Sequence, residues 1–261
     1  MNPADRPRPG TVVPVLAFHA LGRGHGPIWT EPDNFARLID AVLEAGYEPV
    51  HAREIAAMTR GTPPAALKPI AITFDDGYES VHREALPILA RRHLSATVFW
   101  VTGSPGRNNW DAPGSFGGGL TLLGESSIMA LVEAGWEIGS HTHTHKRLRG
   151  VSPTVVADEL SRSQDVLGRM GLEVSTMAYP YGDYDNVSAA IVRARLVGGF
   201  AVGARFAHPA DDPAAIERID AWYLQRRLVQ RHLGDIVGRS YLAVRQGLRS
   251  VGSRMRRNDG A

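Results

Sequence analysis

The chain has 261 residues, of which 43% are hydrophobic and 21% are charged, a composition typical of globular domains. Its length suits one barrel-like α/β domain or two small domains. The formal net charge of +2 gives no global electrostatic argument for a nucleic-acid partner. The absence of cysteine excludes disulfides and thiolate–metal sites.

The N-terminal residues 1–11 are rich in proline and arginine and are predicted to form a flexible arm. No apolar run follows their charges, so they do not predict a signal peptide. No stretch of the sequence approaches the ~20 apolar residues of a membrane-spanning helix. We therefore expect a cytoplasmic location.

From residue 12 onwards, predicted strands alternate with predicted helices. The first strand, 12–18, ends at His19, and the next helix is predicted to begin with Thr30 as its cap and Pro32 in its first turn. Pro87 is predicted to bend or restart a later helix. The other elements up to residue 101 are a strand at 47–50, a helix at 52–58, a strand opening the stretch 71–78, a helix at 80–93 and a strand at 96–101.

The second half of the chain begins with a long loop, 102–123, which carries Trp110 and Asp111 and has a length typical of functional loops. Strands and helices then alternate again, and such alternation is typical of parallel βαβ units. Seven or eight units suggest a closed or nearly closed barrel. The predicted elements are a helix at 126–134, a strand at 137–140, a helix from Ser152 to about Met170, a strand at 175–179, a helix at 187–196 and strands at 199–204 and 216–220.

Two adjacent carboxylates, Asp75 and Asp76, stand at the end of a buried strand and are followed by Gly77. Because side chains alternate along a strand, the two cannot both point into the core, and they can face different parts of one cleft. Their repulsion is relieved by a cation or by a shared proton. The alternative interpretation is a simple turn, since Asp-Gly is a common turn dipeptide.

Two histidines, His141 and His145, follow the strand at 137–140. At a spacing of four, one helical or helix-like turn brings both imidazoles to the same side. With a carboxylate from elsewhere they can form a three-ligand metal site that keeps positions open for water and substrate. His143, between them, is predicted to be exposed or to support the ligands.

These motifs resemble those of the polysaccharide deacetylases that share the NodB homology domain, carbohydrate esterase family 4. The first motif is similar to residues 73–77 (Thr-Phe-Asp-Asp-Gly), the second to 141–145 (His-Thr-x-x-His) and the third to 179–182 (Tyr-Pro-Tyr-Gly). The resemblance covers residues 13–220 and implies a distorted (β/α)7-type barrel in a single domain.

The resemblance also implies roles for individual residues. Asp76, His141 and His145 are the implied ligands of one divalent metal ion, Zn²⁺ foremost, with Co²⁺ or Ni²⁺ as alternatives. Asp75 is the implied catalytic base. In the family, a backbone amide after the third motif's proline binds the oxyanion, which carries over to Tyr181 in a turn shaped by Pro180.

The chain departs from the common family pattern in two places. The third motif lacks its usual arginine, and no C-terminal motif supplies the usual histidine that acts as general acid, because His208 and His232 have no motif around them. In the branch that deacetylates exported poly-N-acetylglucosamine, a histidine after an N-terminal strand has this role. His19 resembles it and is assigned as the general acid, with a structural strand-end histidine as the alternative. Arg218, at a late strand end, is the candidate to support Asp75, with an ordinary surface arginine as the alternative.

The C-terminal residues 226–257 contain nine arginines and one acidic residue, Asp235, interleaved with apolar residues. This pattern predicts a basic, amphipathic helical extension that either packs on the barrel or contacts an anionic membrane surface, here the inner face of the membrane, or an acidic partner. The predicted organisation is a flexible arm (1–11), a NodB-like deacetylase domain (12–222) and a basic C-terminal extension (223–261).

The sequence thus predicts a metal-dependent hydrolase that removes acetyl groups from N-acetylhexosamine units of a poly- or oligosaccharide or glycoconjugate. Its predicted partner is a carbohydrate substrate and not a nucleic acid. One alternative is a hydrolase of another C–N or ester bond, such as that of an O-acetyl sugar, on the same fold. Another is a catalytically degenerate protein that binds or assembles carbohydrate.

Overall fold

The computed structural model describes residues 12–225 except 63 and 105, together with residues 230, 240–241 and 244–245. The predicted N-terminal arm and nearly all of the predicted basic extension lie outside these residues, so membrane contact by the extension stays a prediction. Within the described ranges, no helix combines the length and the apolar composition that crossing a bilayer requires.

The described residues contain ten strands and six α-helices. The strands are β1 Val15–Phe18, β2 Ala20–Leu21, β3 Trp29–Thr30, β4 Glu48–Val50, β5 Pro69–Phe74, β6 Thr97–Trp100, β7 Glu137–Ser140, β8 Thr176–Ala178, β9 Gly198–Phe200 and β10 Ile219–Asp220. The helices are α1 Pro32–Glu44, α2 Ala52–Thr59, α3 Leu86–Ala90, α4 Glu125–Glu133, α5 Pro153–Arg169 and α6 Asn186–Arg195. A π-helical turn, Val81–Ala85, precedes α3, and short 3₁₀ turns cover Pro180–Gly182 and Ala221–Leu224.

Seven of the strands form a ring of parallel neighbours in the order β10, β1, β5, β6, β7, β8, β9. Two parallel bridges, Phe200–Ile216 and Gly203–Ile219, join the segment around β9 to the segment around β10 and complete the ring. β4 pairs with the beginning of β5, and β2 and β3 form a separate pair. The predicted distorted (β/α)7-type barrel is confirmed.

The strands are apolar because both of their faces are covered, as is usual in parallel sheets. All six residues of β5 are buried. Outside the barrel, Phe35 of α1 packs edge-on against Phe18 of β1, with 5.0 Å between the ring centroids. Inside it, Phe99 and Phe200 meet at 5.6 Å and belong to the same buried cluster as Ile55 of α2.

Helix α2 closes the N-terminal end of the barrel and is held there by polar groups. Glu137, the first residue of β7, accepts hydrogen bonds from the Arg53 amide (3.1 Å) and from the hydroxyls of Thr97 and Thr176 (2.9 Å each). Thr97 accepts from the Ala52 amide (3.0 Å). These acceptors satisfy the first two N–H groups of α2, which have no partner within the helix.

Most element boundaries agree with the sequence to within a few residues, and the exceptions have local causes. The N-cap of α1 is Glu31 and not Thr30, because Thr30 is already paired in β3, and no side chain caps this helix. Ser152 does cap α5, accepting from the Val155 amide. The α-helix around Pro87 restarts at Leu86 after the π-helical turn, as predicted. The last strand is shorter than predicted, since Ile216 contributes only a single bridge.

Candidate active site

Six of the eight predicted site residues, all but Pro180 and Arg218, meet in a cleft of about 270 Å³ at the C-terminal ends of the barrel strands. His19 follows β1, the Asp75–Asp76 pair follows β5, His141 follows β7 and Tyr181 lies just after β8. All of them line the cleft. Parallel strands that point the same way bring the residues after their ends to one face, so side chains distant in sequence become neighbours.

The two aspartates diverge because the backbone turns sharply between them. Asp76 has a φ of +68° and Gly77 a φ of +79°, and the Gly77 amide bonds back to the Asp75 carbonyl at 2.8 Å. A Cβ on Gly77 would lie 2.5 Å from the Trp100 ring, so both the conformation and the space require glycine. Asp75 and Asp76 therefore face different parts of one cleft, as the sequence predicted.

Asp76, His141 and His145 form a compact group of donor atoms. Asp76 Oδ1 lies 3.3 Å from His141 Nε2 and 3.2 Å from His145 Nε2, and all three donor atoms lie within 4.8 Å of one another. Bonds of about 2.0–2.1 Å from a tetrahedral ion to N and O ligands separate those ligands by about 3.3 Å. The donor set and its spacing thus fit a divalent cation such as Zn²⁺, Co²⁺ or Ni²⁺.

The protonation states of this group also suit metal binding. Burial lowers the pKa of His145 more than Asp76 raises it, which favours the neutral imidazole. Burial opposes the charge of Asp76, but the neighbouring His141, His145 and His19 together outweigh it and hold the pKa of Asp76 well below its usual value. The Nδ1–H of His141 donates to the Ala178 carbonyl at 2.9 Å, which fixes the ring with Nε2 facing Asp76.

The loop that carries the two histidines is not helical, so the helix-like turn predicted from their spacing is wrong. Thr142 and His145 have positive φ angles of 64° and 57°. Glu159 of α5 imposes this shape: its Oε2 accepts from the amides of His143 (2.9 Å) and Thr144 (2.8 Å), and its Oε1 from the Thr144 hydroxyl (2.6 Å). His143 turns away from the cleft and bonds Thr102 at 3.1 Å, in agreement with the expectation that it is not a ligand.

Arg218 meets Asp75 in the barrel interior. Its two terminal nitrogens each lie 2.6 Å from one Asp75 oxygen, and Nη1 also donates to Thr73 Oγ1 at 3.0 Å. The guanidinium is fully buried, so the surface alternative for this residue is wrong. Burial would raise the pKa of Asp75, but the charge and hydrogen bonds of Arg218, together with nearby His141 and His19, outweigh it and the pKa is lowered. Asp75 is therefore ionised at neutral pH.

His19 lies on the other side of Asp75, with 4.0 Å between Nε2 and Asp75 Oδ2, and is partly exposed to the cleft. His208, the other histidine weighed for the acid role within the described residues, is not among the residues that line the cleft. Its ring accepts a hydrogen bond from the Ala210 amide. His232 lies outside the described residues.

The turn after β8 places Tyr181 at the rim of the cleft. Tyr181 follows Pro180 and has a φ of +62°, an unusual conformation for a non-glycine residue. Its ring packs edge-on against His145 at 4.7 Å and lies under the guanidinium of Arg147 at 4.5 Å. Burial and the nearby Asp111 raise the pKa of its hydroxyl.

The long loop 102–123 forms the opposite wall of the cleft, and the residues that hold it in place could not be identified from sequence. Buried Asn108 donates to Tyr78 Oη (3.1 Å) and to Asp111 Oδ2 (2.8 Å). Trp110 packs on the His145 ring at 4.5 Å, and Asp111 lines the cleft. Burial and the nearby Asp76 raise the pKa of Tyr78, so its hydroxyl stays protonated.

A family model described as polysaccharide deacetylase matches residues 63–195, just over half of the chain. The chain belongs to the polysaccharide deacetylase family. The matched segment contains the Asp75–Asp76 pair, the histidine loop and the turn at Pro180.

The individual relatives are distant. The chain is 24% identical over 217 residues to YxkH of Bacillus subtilis, covering 83% of this chain and 70% of that protein. It is 28% identical over 159 residues to a poly-beta-1,6-N-acetyl-D-glucosamine N-deacetylase of Staphylococcus aureus, covering 57% of this chain and 52% of that protein, so the match spans about half of that relative. The solved structure of IcaB from Ammonifex degensii shares the fold with a TM-score of 0.70, at 24% identity, over 82% of this chain and 95% of that chain.

Proposed function

We propose that this chain is a metal-dependent hydrolase that removes acetyl groups from N-acetylhexosamine units of a poly- or oligosaccharide. The observation that carries the proposal is the meeting, in one cleft, of a fitted metal-ligand group with an ionised aspartate and a histidine. Membership of the polysaccharide deacetylase family supports the reaction. The name of the staphylococcal relative supports an N-acetylglucosamine polymer as the substrate.

Asp76, His141 and His145 are the proposed ligands of the cation. When bound, a divalent ion would polarise the acetyl carbonyl and lower the pKa of a water molecule. The protein's contribution is to hold the three donor atoms at the required spacing, with His141 fixed by Ala178 and the loop to His145 fixed by Glu159.

Asp75 is the proposed general base. Because Arg218 keeps it ionised and holds both oxygens in one plane, Asp75 can accept a proton from water on the cleft side. The same pairing weakens Asp75 as a base, so correct orientation has to offset the lower pKa.

His19 is the proposed general acid, and the backbone of Tyr181 the proposed oxyanion donor. Expulsion of the sugar amine requires a proton on nitrogen as the C–N bond breaks, and His19 is the cleft histidine that is not assigned to the metal. The tetrahedral oxyanion needs a fixed donor, and Tyr181 N–H lies in a rigid turn at the cleft rim.

The proposal is tested by acetate release. The protein is first stripped of metal and then reloaded separately with Zn²⁺, Co²⁺ or Ni²⁺. The reloaded protein should release acetate from N-acetylglucosamine oligomers, and the metal-free protein should not. Asp75→Asn should keep the bound metal and lose ~10²-fold or more in kcat. Acetate release from O-acetyl sugars alone would show that the protein is an esterase and not an N-deacetylase. No release from any acetylated glycan would favour a carbohydrate-binding protein.

A further inference from the structure

The exposed aromatic rings of the described residues are concentrated on one face of the barrel. Phe116, Tyr181 and Trp222 are the most exposed, at 56%, 47% and 43%. Phe116 and Tyr181 line the candidate active site, and Trp222 lines a second cleft. Exposing large aromatic rings to water is unfavourable, so their grouping on one face indicates a binding surface.

The second cleft has a volume of about 440 Å³, larger than the first. The lining of this cleft is more polar than that of a typical protein-docking groove, because side chains with hydrogen-bond donors and acceptors surround the exposed tryptophan. Its lining includes Trp29, Glu31, Asn34, Arg37, Trp222 and Gln225. An aromatic face beside amide, carboxylate and guanidinium groups suits a sugar, which has an apolar face and an equatorial rim of hydroxyls.

The two clefts share a wall. Trp29, in the second cleft, donates from Nε1 to the backbone carbonyl of Phe116, in the first, at 3.3 Å. Asp220, in the first cleft, accepts from the backbone amide of Trp222, in the second, at 2.9 Å. The two clefts are therefore direct neighbours.

We propose that the two clefts form one extended groove in which Trp222 binds a sugar unit beyond the one that is hydrolysed. This inference rests on the proposed function and refines it by placing a further unit of the substrate chain at Trp222. The first cleft contains the carboxylates of Asp111 and Asp220 as well as the catalytic pair. These charges favour a neutral glycan, or one carrying ammonium groups after deacetylation, over a polyanionic glycan.

The test compares chain lengths in Trp222→Ala and the unaltered protein, using β-1,6- and β-1,4-linked N-acetylglucosamine oligomers from one unit to about five. For the unaltered protein, kcat/KM should rise with length. Trp222→Ala should lose about tenfold for the longest oligomer and less than about twofold for the shortest. Trp222→Phe, which keeps an aromatic face, should recover part of the loss.

Leu67→Ala is the matched control, since Leu67 is similarly exposed but precedes β5, at the opposite end of the barrel. It should leave the length dependence unchanged. Equal loss at every length in Trp222→Ala, or no length dependence in the unaltered protein, would overturn the groove.

Calorimetric titration of the same oligomers into Asp75→Asn separates this inference from the proposed function. Tighter binding of long oligomers that disappears in the double variant with Trp222→Ala, without acetate release by the unaltered protein, would keep the groove and overturn the deacetylase. Acetate release that depends neither on oligomer length nor on Trp222 would support the deacetylase and overturn the groove.

Discussion

The two histidines of the proposed metal site are oriented by different means. His141 is fixed by a hydrogen bond from Nδ1 to Ala178. The Nδ1 of His145 is buried and has no hydrogen-bond partner among the described residues. Its ring is instead packed between Trp110 and Tyr181. Apart from its contact with Asp76, the His145 ring is thus oriented by packing, which makes it the more informative ligand to remove.

We expect His145→Ala to stay folded and to lose its bound metal, because two remaining ligands hold a divalent ion weakly. Elemental analysis after dialysis should find about one metal ion per unaltered chain and less than about a tenth of that in the variant.

His143→Ala is the control, since His143 lies in the same loop but its ring bonds Thr102 outside the cleft. It should keep the metal. Full metal content in His145→Ala would contradict the ligand assignment.

The role of His19 is tested by the leaving group. If His19 protonates the departing amine, His19→Ala should bind metal normally and lose ~10²-fold or more in turnover of N-acetyl substrates. An activated aryl acetate, whose leaving group needs no proton, should be hydrolysed at a rate within about tenfold of the unaltered protein. Equal losses on both substrates would assign His19 to binding or structure.

At the scale of elements, the sequence predicts well what depends on local pattern. The strands before His19 and Asp75 are short apolar runs followed by polar residues, so these strands and the edge at which they end can be predicted. The shape of the histidine loop cannot, because it depends on Glu159, which lies one helix later and reaches it only in the folded chain.

Glu159→Ala should therefore weaken metal binding without removing a ligand. Losing the acceptor for the amides of His143 and Thr144 frees the loop from its left-handed conformation, and the metal Kd should rise by about 10–100-fold. A competition titration with a chelator measures it.

The neighbouring Asp158→Ala is the control, because Asp158 is exposed and pairs with Arg162 within α5. Glu159→Gln keeps one acceptor oxygen, so its metal Kd should lie between those of Asp158→Ala and Glu159→Ala. An unchanged Kd in Glu159→Ala would show that the loop holds its shape unaided.

The cap of α6 gives a prediction that depends on pH. Asp185 accepts from the Ser188 amide at 2.9 Å and from the Gly150 amide at 2.8 Å. These bonds lower its pKa from 3.8 to about 2. A lowered pKa in the folded state stabilises the protein above the unfolded pKa, and this stabilisation is lost as the pH falls through the folded value.

Asp185→Ala should cost about 1 kcal/mol near neutral pH, and the difference from the unaltered protein should shrink as the pH falls from about 4 toward 2. Urea unfolding at several pH values measures both. Asp185→Asn caps comparably but does not titrate, so it should nearly keep the neutral-pH stability and lose the pH dependence. A difference that stays constant down to pH ~2 would contradict the assignment.

At the scale of the whole molecule, residues that stabilise the barrel lie at the N-terminal ends of the strands, and the candidate catalytic residues follow the C-terminal ends. β7 is the clearest case: Glu137 at its start binds α2 at the closed end, and His141 just after its end faces the cleft. The eight strands of the main sheet could be predicted from the alternation of elements, whereas the short pair β2 and β3 could not. Closure of the ring and the burial of Arg218 beneath Asp75 depend on pairing between residues far apart in sequence, which no local pattern encodes.

The two ends should respond independently to mutation. Glu137→Ala removes the acceptor for the Arg53 amide and for two buried hydroxyls, and groups left unsatisfied in a barrel interior destabilise the fold by about 2–4 kcal/mol in total. Urea unfolding should show this loss, while the metal affinity of the folded protein stays within about twofold, because the ligands lie at the other end of the strands.

Glu133→Ala is the control, at an exposed position at the end of α4, and should change stability by less than about 0.5 kcal/mol. A loss of metal affinity in Glu137→Ala comparable to that in Glu159→Ala would mean that the closed end of the barrel and the cleft are coupled, and that α2 helps to shape the site as well as to close the barrel.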